Sequence, residues 1–471
     1  MSTQFGMDRR RFFGVSGGLA MSAALAAYSS VAGPAAAQGA VDEELRSAVR
    51  GRVLLPGDAE FAQAQLPWNR AVDQSVLGVV EIADADDAAA LVRYARRAGV
   101  AVSTQPSGHG AAPGVNGTIL VRPAQLGEAR VDPDARSARV GPGVTWAQVQ
   151  QQAGPHQLTG LAGSSAAINV VGFSLGGGLP WFGRKFGWAA NSVTAFDIVD
   201  ADGNQVRVAA DSEPDLFWAL RGGGGDFALV TAVEFDLHPA PAVYGGQMLW
   251  PAQLAPQVLA AFRDVTASAP DELTVWVQLM QISVLPPMVY VYATFLGDQA
   301  EGQALLRPFD QIGWRVQDTR AMISVASLGD ILAEPTTPST TISRAAPLTG
   351  IDDNVIEHLT ATSLAPLTAV QIRHFGGAFT RGGDTAAGAL TEPYQIDFLS
   401  LATDAEAVNT CVQGHLSALG PNLGSRTPFT FLSPGRGAAD AFPADTLNRL
   451  REIKRKRDPS NVFRSNYPVL S

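Results

Sequence analysis

Three clusters of glycine stand in the first half of this chain: Gly108 and Gly110 on either side of His109, Gly172 ahead of Gly176-Gly177-Gly178, and the unbroken run Gly222 to Gly225. Glycine gives up the side chain that packs a core, so each cluster marks a sharp turn or a close approach of backbone to something else. Backbone amides come close to a pyrophosphate only where no Cβ intervenes, and several such loops in one domain point to a large phosphate-bearing ligand. The two commonest phosphate motifs do not fit. G-x-x-x-x-G-K-[ST] is absent, and no cluster sits between a first strand and a helix with an acidic residue at dinucleotide-fold spacing.

Patterning around the clusters is mixed α+β. "SVLGVVEIADADDAAALVRYARRAGVAVSTQ" predicts a strand at about Leu77 to Ile82 and an N-cap at Asp84 or Asp86. A helix follows with Leu91, Val92, Ala95 and Ala98 on one face, then a stop at Gly99 and a strand over Val100 to Thr104. This β-α-β unit runs into "QPSGHG". "GTILVRP", "ARVDP" and "ARSARVGPG" predict short strands, "VTWAQVQQQAG" a helix, and "NSVTAFDIVDADGNQVRVAA" a hairpin with Asp202-Gly203 at its tip. A helix then precedes the four glycines, and a strand over Phe227 to Leu237 follows them. After Pro241 the texture changes to a long antiparallel pair, "DELTVWVQLMQIS" with "MVYVYATFL", a further strand in "LTAVQIRHFGGAF", a loop around Glu334 to Thr341, and a C-terminal helix stopped by Asp458-Pro459.

Composition narrows the partners. At 471 residues the chain is long enough for two or three domains, and a net charge of −10 argues against a nucleic-acid partner, which requires phosphate neutralisation. The dense basic run Arg451 to Arg457 reads as a solvated helix face. No membrane span is expected beyond the leader. That leader, residues 1–37, has Arg9-Arg10 ahead of a weakly apolar segment and a small-residue site at Ala35-Ala36-Ala37, the pattern of a twin-arginine export signal to the periplasm or outside the cell. Cys411 is the only cysteine, so no internal disulfide is expected, and the twin-arginine route suits a chain that folds around a cofactor before export.

"QPSGHG", "GSSAAINVVGFSLGGGLPWFGRKFG", "LFWALRGGGGDFALVTAVEFDLHP" and "IKRKRDPSNVFRSN", in that order, resemble the berberine-bridge-enzyme-like FAD-linked oxidases of the vanillyl-alcohol-oxidase superfamily, across nearly all the chain after the leader. The resemblance implies a bipartite PCMH-type FAD-binding domain over 41–240, a substrate domain with an antiparallel sheet covered by helices over 241–425, and a tail over 426–471 returning to the FAD domain. It makes His109 the residue joined covalently to the flavin C8-methyl, with Pro106, Ser107, Gly108 and Gly110 as the phosphate loop. Asn169, Gly172, Gly176, Gly177, Gly178 and Val230 become cofactor contacts, and Arg464 and Asn466 stand where the tail closes on the cofactor. Relatives often carry a second, cysteinyl link; counting back eleven residues from Gly176 lands on Ser165, whose alcohol is a far poorer nucleophile than a thiolate, so one link is expected. Asn169 stands where the family often has glycine, and Asn tolerates a left-handed backbone. Ile168 matches a position that in plant relatives influences oxygen access.

Strand alternation puts Thr274, Trp276, Gln278 and Met280 on one face, Tyr290 with Tyr292, and Gln371 with Arg373. Such a polar and aromatic face is a candidate lid over the flavin ring. Gln278, Tyr290, Tyr292, Gln371, Arg373 and His374 are the candidate catalytic residues, and no carboxylate stands out as the base. The family's tyrosine-bearing segment is not visible in "TPFTFLSPGRG". The implied activity is hydride abstraction from a C–H bearing a hydroxyl or amine of a sugar, alcohol or secondary metabolite, with O2 or another acceptor taking the electrons. A flavin-binding protein without turnover and a redox cyclase are the alternatives. The sequence leaves oligomeric state open.

Overall fold

The computed structural model describes residues 43–282, 284–401 and 404–470. The leader read over residues 1–37 lies outside them. A first sheet holds β1 (Arg52–Leu54), β2 (Gly78–Glu81), β3 (Ala101–Thr104) and β4 (Thr118–Val121) in the order β1-β2-β4-β3, with β4 parallel to both β2 and β3. Helix α1 (Ala85–Ala98) makes the crossover. Asp84 caps it by accepting from the Asp87 N–H, and Gly99 ends it with a left-handed φ of 67°. Leu91, Val92 and Ala95 are buried as their spacing predicts; Ala98, expected on the same face, is exposed in the last position before the Gly99 cap.

A second sheet, all antiparallel, contains β5 (Ala129–Asp132), β6 (Ser137–Val140), β7 (Val193–Val199), β8 (Gln205–Ala209) and β9 (Leu229–Asp236) in the order β5-β6-β9-β7-β8. A third, larger antiparallel sheet is built from β10 (Tyr244–Pro251), β11 (Leu273–Met280), β12 (Met288–Phe295), β13 (Ile342–Leu348), β14 (Ala369–His374) and β15 (Tyr394–Ser400), in the order β10-β12-β11-β14-β15-β13. Helices Ala255–Ala267, Asp353–Ala361 and Ala405–Ala418 cover one face over a core of Phe262, Val277, Val291, Ile372, Ile396 and Phe398. Cys411 lies on this covered side, packed against that core.

Strands β10, β13 and β15 escaped the sequence reading for physical reasons. Two glycines and a terminal proline interrupt β10, Pro347 sits in β13, and β15 alternates buried polar residues, Gln395 and Asp397, with apolar ones. The C-terminal helix Ala444–Arg457 forms as expected; in its basic run Arg455 and Lys456 are exposed and Arg451 and Arg457 half-buried, but Lys454 turns inward. Lys454 is 1% exposed, and its ammonium donates to the Asp226 carbonyl, the Phe463 carbonyl and Asp458 Oδ2 at 2.6–2.7 Å. Past the helix the tail adds to the edge of β3 through Val102 N–H to Val462 O (2.6 Å) and Arg464 N–H to Val102 O (3.0 Å). No helix among the described residues is long and apolar enough to cross a membrane.

Candidate functional site

The loop after β3 is held from behind. Trp68 N–H donates to Ser107 O at 2.9 Å, Asn69 N–H to Gly108 O at 3.3 Å, and Arg122 Nη1 to Gln105 O at 2.8 Å. These three carbonyls are thus occupied, while the N–H groups of Ser107, Gly108, His109 and Gly110 meet no acceptor among the described residues. Gly108 is required here: its φ is 88°, and a Cβ would stand 2.8 Å from Pro67 Cβ. Around Gly110 nothing lies within 4 Å of such a Cβ.

His109 stacks on Trp68 with ring centroids 4.2 Å apart, and Ser107 Oγ meets its Nδ1 at 2.8 Å. Burial pushes its pKa down to about 4, so the ring is neutral near pH 7. The same holds for His238, pushed down by burial to about 4 and stacked on Phe186. Between pH 6.5 and about 4 the unfolded chain takes up protons at these two rings that the folded chain refuses. Stability therefore falls with falling pH in that window, by on the order of 3 kcal/mol per ring at its acid end. Buried Asp226 and Asp397, whose pKa values burial raises, oppose the trend. We expect the melting temperature to fall steadily from pH 7 to pH 5, and His238→Asn to flatten that slope; an unchanged slope in the variant would refute the assignment.

The second loop faces the first. A Cβ on Gly172 would stand 4.0 Å from Pro106 Cγ. Here too the carbonyls of Ala166 and Ile168 are taken, by Ala147 and Trp146 N–H, while the N–H groups of Ser164, Ser165, Ala166 and Ala167 find no acceptor among the described residues. Ser164 and Ser165 are buried, where an unmet donor is costly unless a ligand takes it. Asn169 is not left-handed: its φ is −72°, and its Nδ2 donates to Gly143 O at 3.1 Å. Ile168 is half-buried against the core, and Val230 is buried in β9. Gly178 turns with φ 70° against the Phe173 ring, whereas Gly176 keeps ordinary clearance from Phe173 O at 3.6 Å. The third glycine cluster is a packing feature, not an open cradle. Gly222 closes on Ala387, Gly223 on Leu450, and Gly224 on the Phe429 ring.

The uncovered face of the large sheet abuts these loops. Trp181, just past the triple glycine, stacks on Trp276 at 4.0 Å, and Thr274 Oγ1 donates to Trp181 O at 2.6 Å. On that face Gln371 Nε2 donates to Gln278 Oε1 (2.7 Å), and Arg373 Nε donates to Gln371 Oε1 (2.7 Å) and pairs with Asp397 Oδ2 at 3.2 Å. The guanidinium lies over Trp276 at 4.5 Å and over Phe431 at 5.2 Å. Phe431 comes from the tyrosine-free segment "TPFTFLSPGRG", and neighbouring Thr430 lies 3.8 Å from where a Gly176 Cβ would be. Tyr290 and Tyr292 stack at 5.8 Å on the same face, opposite Gln278 and Trp276 in register.

Of the six candidates, five are thus gathered on one face. His374 is not: it points to the other side of β14, where Arg184 Nη1 meets its Nε2 at 3.0 Å and Tyr394 lies beside it. The carboxylate missing from the sequence reading is Asp397. Burial pushes its pKa up, while Arg373 and then Gln395 pull it down. Its sequence signal was the alternation of Gln395 and Asp397 along β15, opposite Arg373 and Gln371 in register. Glu334 was also missed; it accepts from Ser164 Oγ at 2.5 Å.

Comparison with known proteins agrees with this geometry. Residues 76–209 match the FAD binding domain family, and residues 439–469 match the berberine and berberine-like family. FAD-dependent monooxygenase FUP4 of Fusarium proliferatum is 34% identical over 192 residues, 40% of this chain and 37% of that protein. The chain matches less than half the length of such curated relatives. Two solved structures share the fold: 6-hydroxy-D-nicotine oxidase from Arthrobacter nicotinovorans (22% identity, TM-score 0.76, 88% of this chain and 96% of that one), and glucooligosaccharide oxidase from Acremonium strictum, described with a 6-S-cysteinyl, 8α-N1-histidyl FAD (20% identity, TM-score 0.77, 91% and 98%). Two separated stretches of the chain thus match an FAD binding domain and a berberine-like segment, and the α+β architecture is the one these two solved structures have.

Proposed function

We propose that the chain is an FAD-dependent oxidoreductase that removes a hydride from a carbon bearing a hydroxyl or amine on a small molecule, with O2 or another acceptor as the final oxidant. The observation that carries this reading is the meeting of two backbone loops with unmet N–H donors and a sheet face centred on a buried carboxylate–guanidinium pair. The donors of Ser107–Gly110 and Ser164–Ala167 would hold the cofactor's phosphates and polar edge. His109, neutral and held at Nδ1 by Ser107, would tether the cofactor through Nε2, with Ser165 forming no second link. When bound, the flavin supplies the hydride acceptor.

Asp397 takes the hydroxyl proton of the substrate. A carboxylate whose pKa burial raises is a better base than a solvated one, and Arg373 at 3.2 Å opposes that rise. Gln278 and Gln371 offer amides to substrate oxygens, and Tyr290, Tyr292, Trp276 and Phe431 wall the cleft and exclude water. His374 keeps Arg184 in place from the far side of the strand. The Arg9-Arg10 leader makes this an exported enzyme on the same reading.

Protein from riboflavin-supplemented cells should absorb at about 450 nm, keep its colour through acid precipitation, and bleach anaerobically with a member of a panel of sugars, alcohols, phenols and amines. Colourless protein, with the His109 peptide at its unmodified mass, overturns the reading. Yellow protein that no compound bleaches supports flavin binding without turnover.

A further inference from the structure

The loop that carries His109 begins at Gln105 and ends at Ala112, and both ends are tied into one small group of buried amides. Gln105 Nε2 donates to Gln74 Oε1 at 3.1 Å. Gln74 Nε2 in turn donates to Ala112 O at 2.9 Å and to Asn466 Oδ1 at 3.0 Å. Asn466 Oδ1 also accepts the Ala112 N–H at 2.9 Å, and its Nδ2 reaches back to Gln105 Oε1 at 3.5 Å. The ring is closed: every amide both gives and accepts, and Gln105 and Gln74 are buried.

This arrangement departs from a direct contact between Asn466 and the cofactor. The Asn466 amide is spent on the loop itself, and the tail carrying it presses so close to Gly114 that a Cβ there would overlap the Asn466 carbonyl. With Gly108 and Gly110 inside it, the loop has little stiffness of its own. Its width is set by the distance between Gln105 and Ala112, and that distance is set by the ring. If the ends spread, His109 leaves its place on Trp68 and the row of N–H groups fans apart.

We propose that Gln74, Gln105 and Asn466 are positioning residues for His109, acting through the width of the loop, so that attachment of the flavin depends on the amide ring more steeply than retention of the flavin does. The proposal rests on the tether reading above. Phosphate contacts spread over eight N–H groups on two loops tolerate a small displacement, whereas a bond from one ring nitrogen requires near-contact geometry.

The test uses full-length Gln74→Leu and Asn466→Leu, each isosteric enough to fill the space without donating or accepting, with Gln105→Asn as a variant that keeps the amide. Two quantities are read on each: acid-stable flavin by in-gel fluorescence, and total flavin by absorbance after gel filtration, with circular dichroism melting as a control for folding. The leucine variants should lose acid-stable flavin at least tenfold while total flavin falls less than twofold, and Gln105→Asn should recover part of the attachment. Wild-type attachment in the leucine variants overturns the proposal. So does parallel loss of attached and total flavin with an early melt, because that is a folding effect. Wild-type protein without acid-stable flavin, by contrast, overturns the tether reading itself.

Discussion

Asp397→Asn is expected to slow anaerobic flavin bleaching by roughly two to four orders of magnitude, the range over which a positioned general base contributes, while leaving the protein folded and yellow. Asparagine keeps the shape of the side chain and an oxygen for Arg373 Nε, which lies 3.2 Å away, so the network of Gln371, Arg373 and Gln395 has little reason to collapse. What is lost is the ability to take a proton. The variant's residual rate should be nearly independent of pH, whereas the wild-type rate should rise with pH until the carboxyl, raised by burial and lowered by Arg373, is fully ionised. Stopped-flow bleaching against pH reads both. An Asp397→Asn enzyme with the wild-type rate and pH profile would remove Asp397 from the chemistry.

Lys454→Met is expected to cost about 3–5 kcal/mol, because breaking a buried ion pair strands its partner charge. The ammonium uses all three of its protons, on Asp226 O, Phe463 O and Asp458 Oδ2. Asp458 also receives the N–H groups of Val462 and Phe463, and Asp226 receives those of Ser465 and Val469. Both carboxylates are buried, and Lys454 is the cation that pulls the raised Asp226 pKa back down. In a unit of this size the loss should lower the melting temperature by roughly 5 °C, and a protease should then cut first in the tail beyond Arg457. A melting temperature within one degree of wild type would mean that the pair contributes little.

Local periodicity was a good guide wherever one face of an element is apolar and the other polar. Helix α1, the Asp202-Gly203 turn and the β11–β12 pair could all be read from their residues, because capping, turn chemistry and alternation act over a few positions. The large sheet was only half legible. Its site face is polar, so β15 went unassigned, and Asp397 became visible only when register set it opposite Gln371 and beside Arg373. The basic run was legible except at Lys454: charge along a sequence does not say which ammonium turns inward, here to the Asp226 carbonyl and Asp458. The third glycine cluster misled because glycine serves close packing and ligand approach alike, and only its neighbours Ala387, Leu450 and Phe429 tell which.

The loop at residues 105–112 waits for a partner synthesised 354 positions later, the separation between Ala112 and Asn466. A ribosome must therefore release nearly everything described here before the His109 turn has its final shape. Until then the loop ends are joined only through Gln74, which bonds Gln105 and the Ala112 carbonyl, and the Ala112 N–H lacks its acceptor.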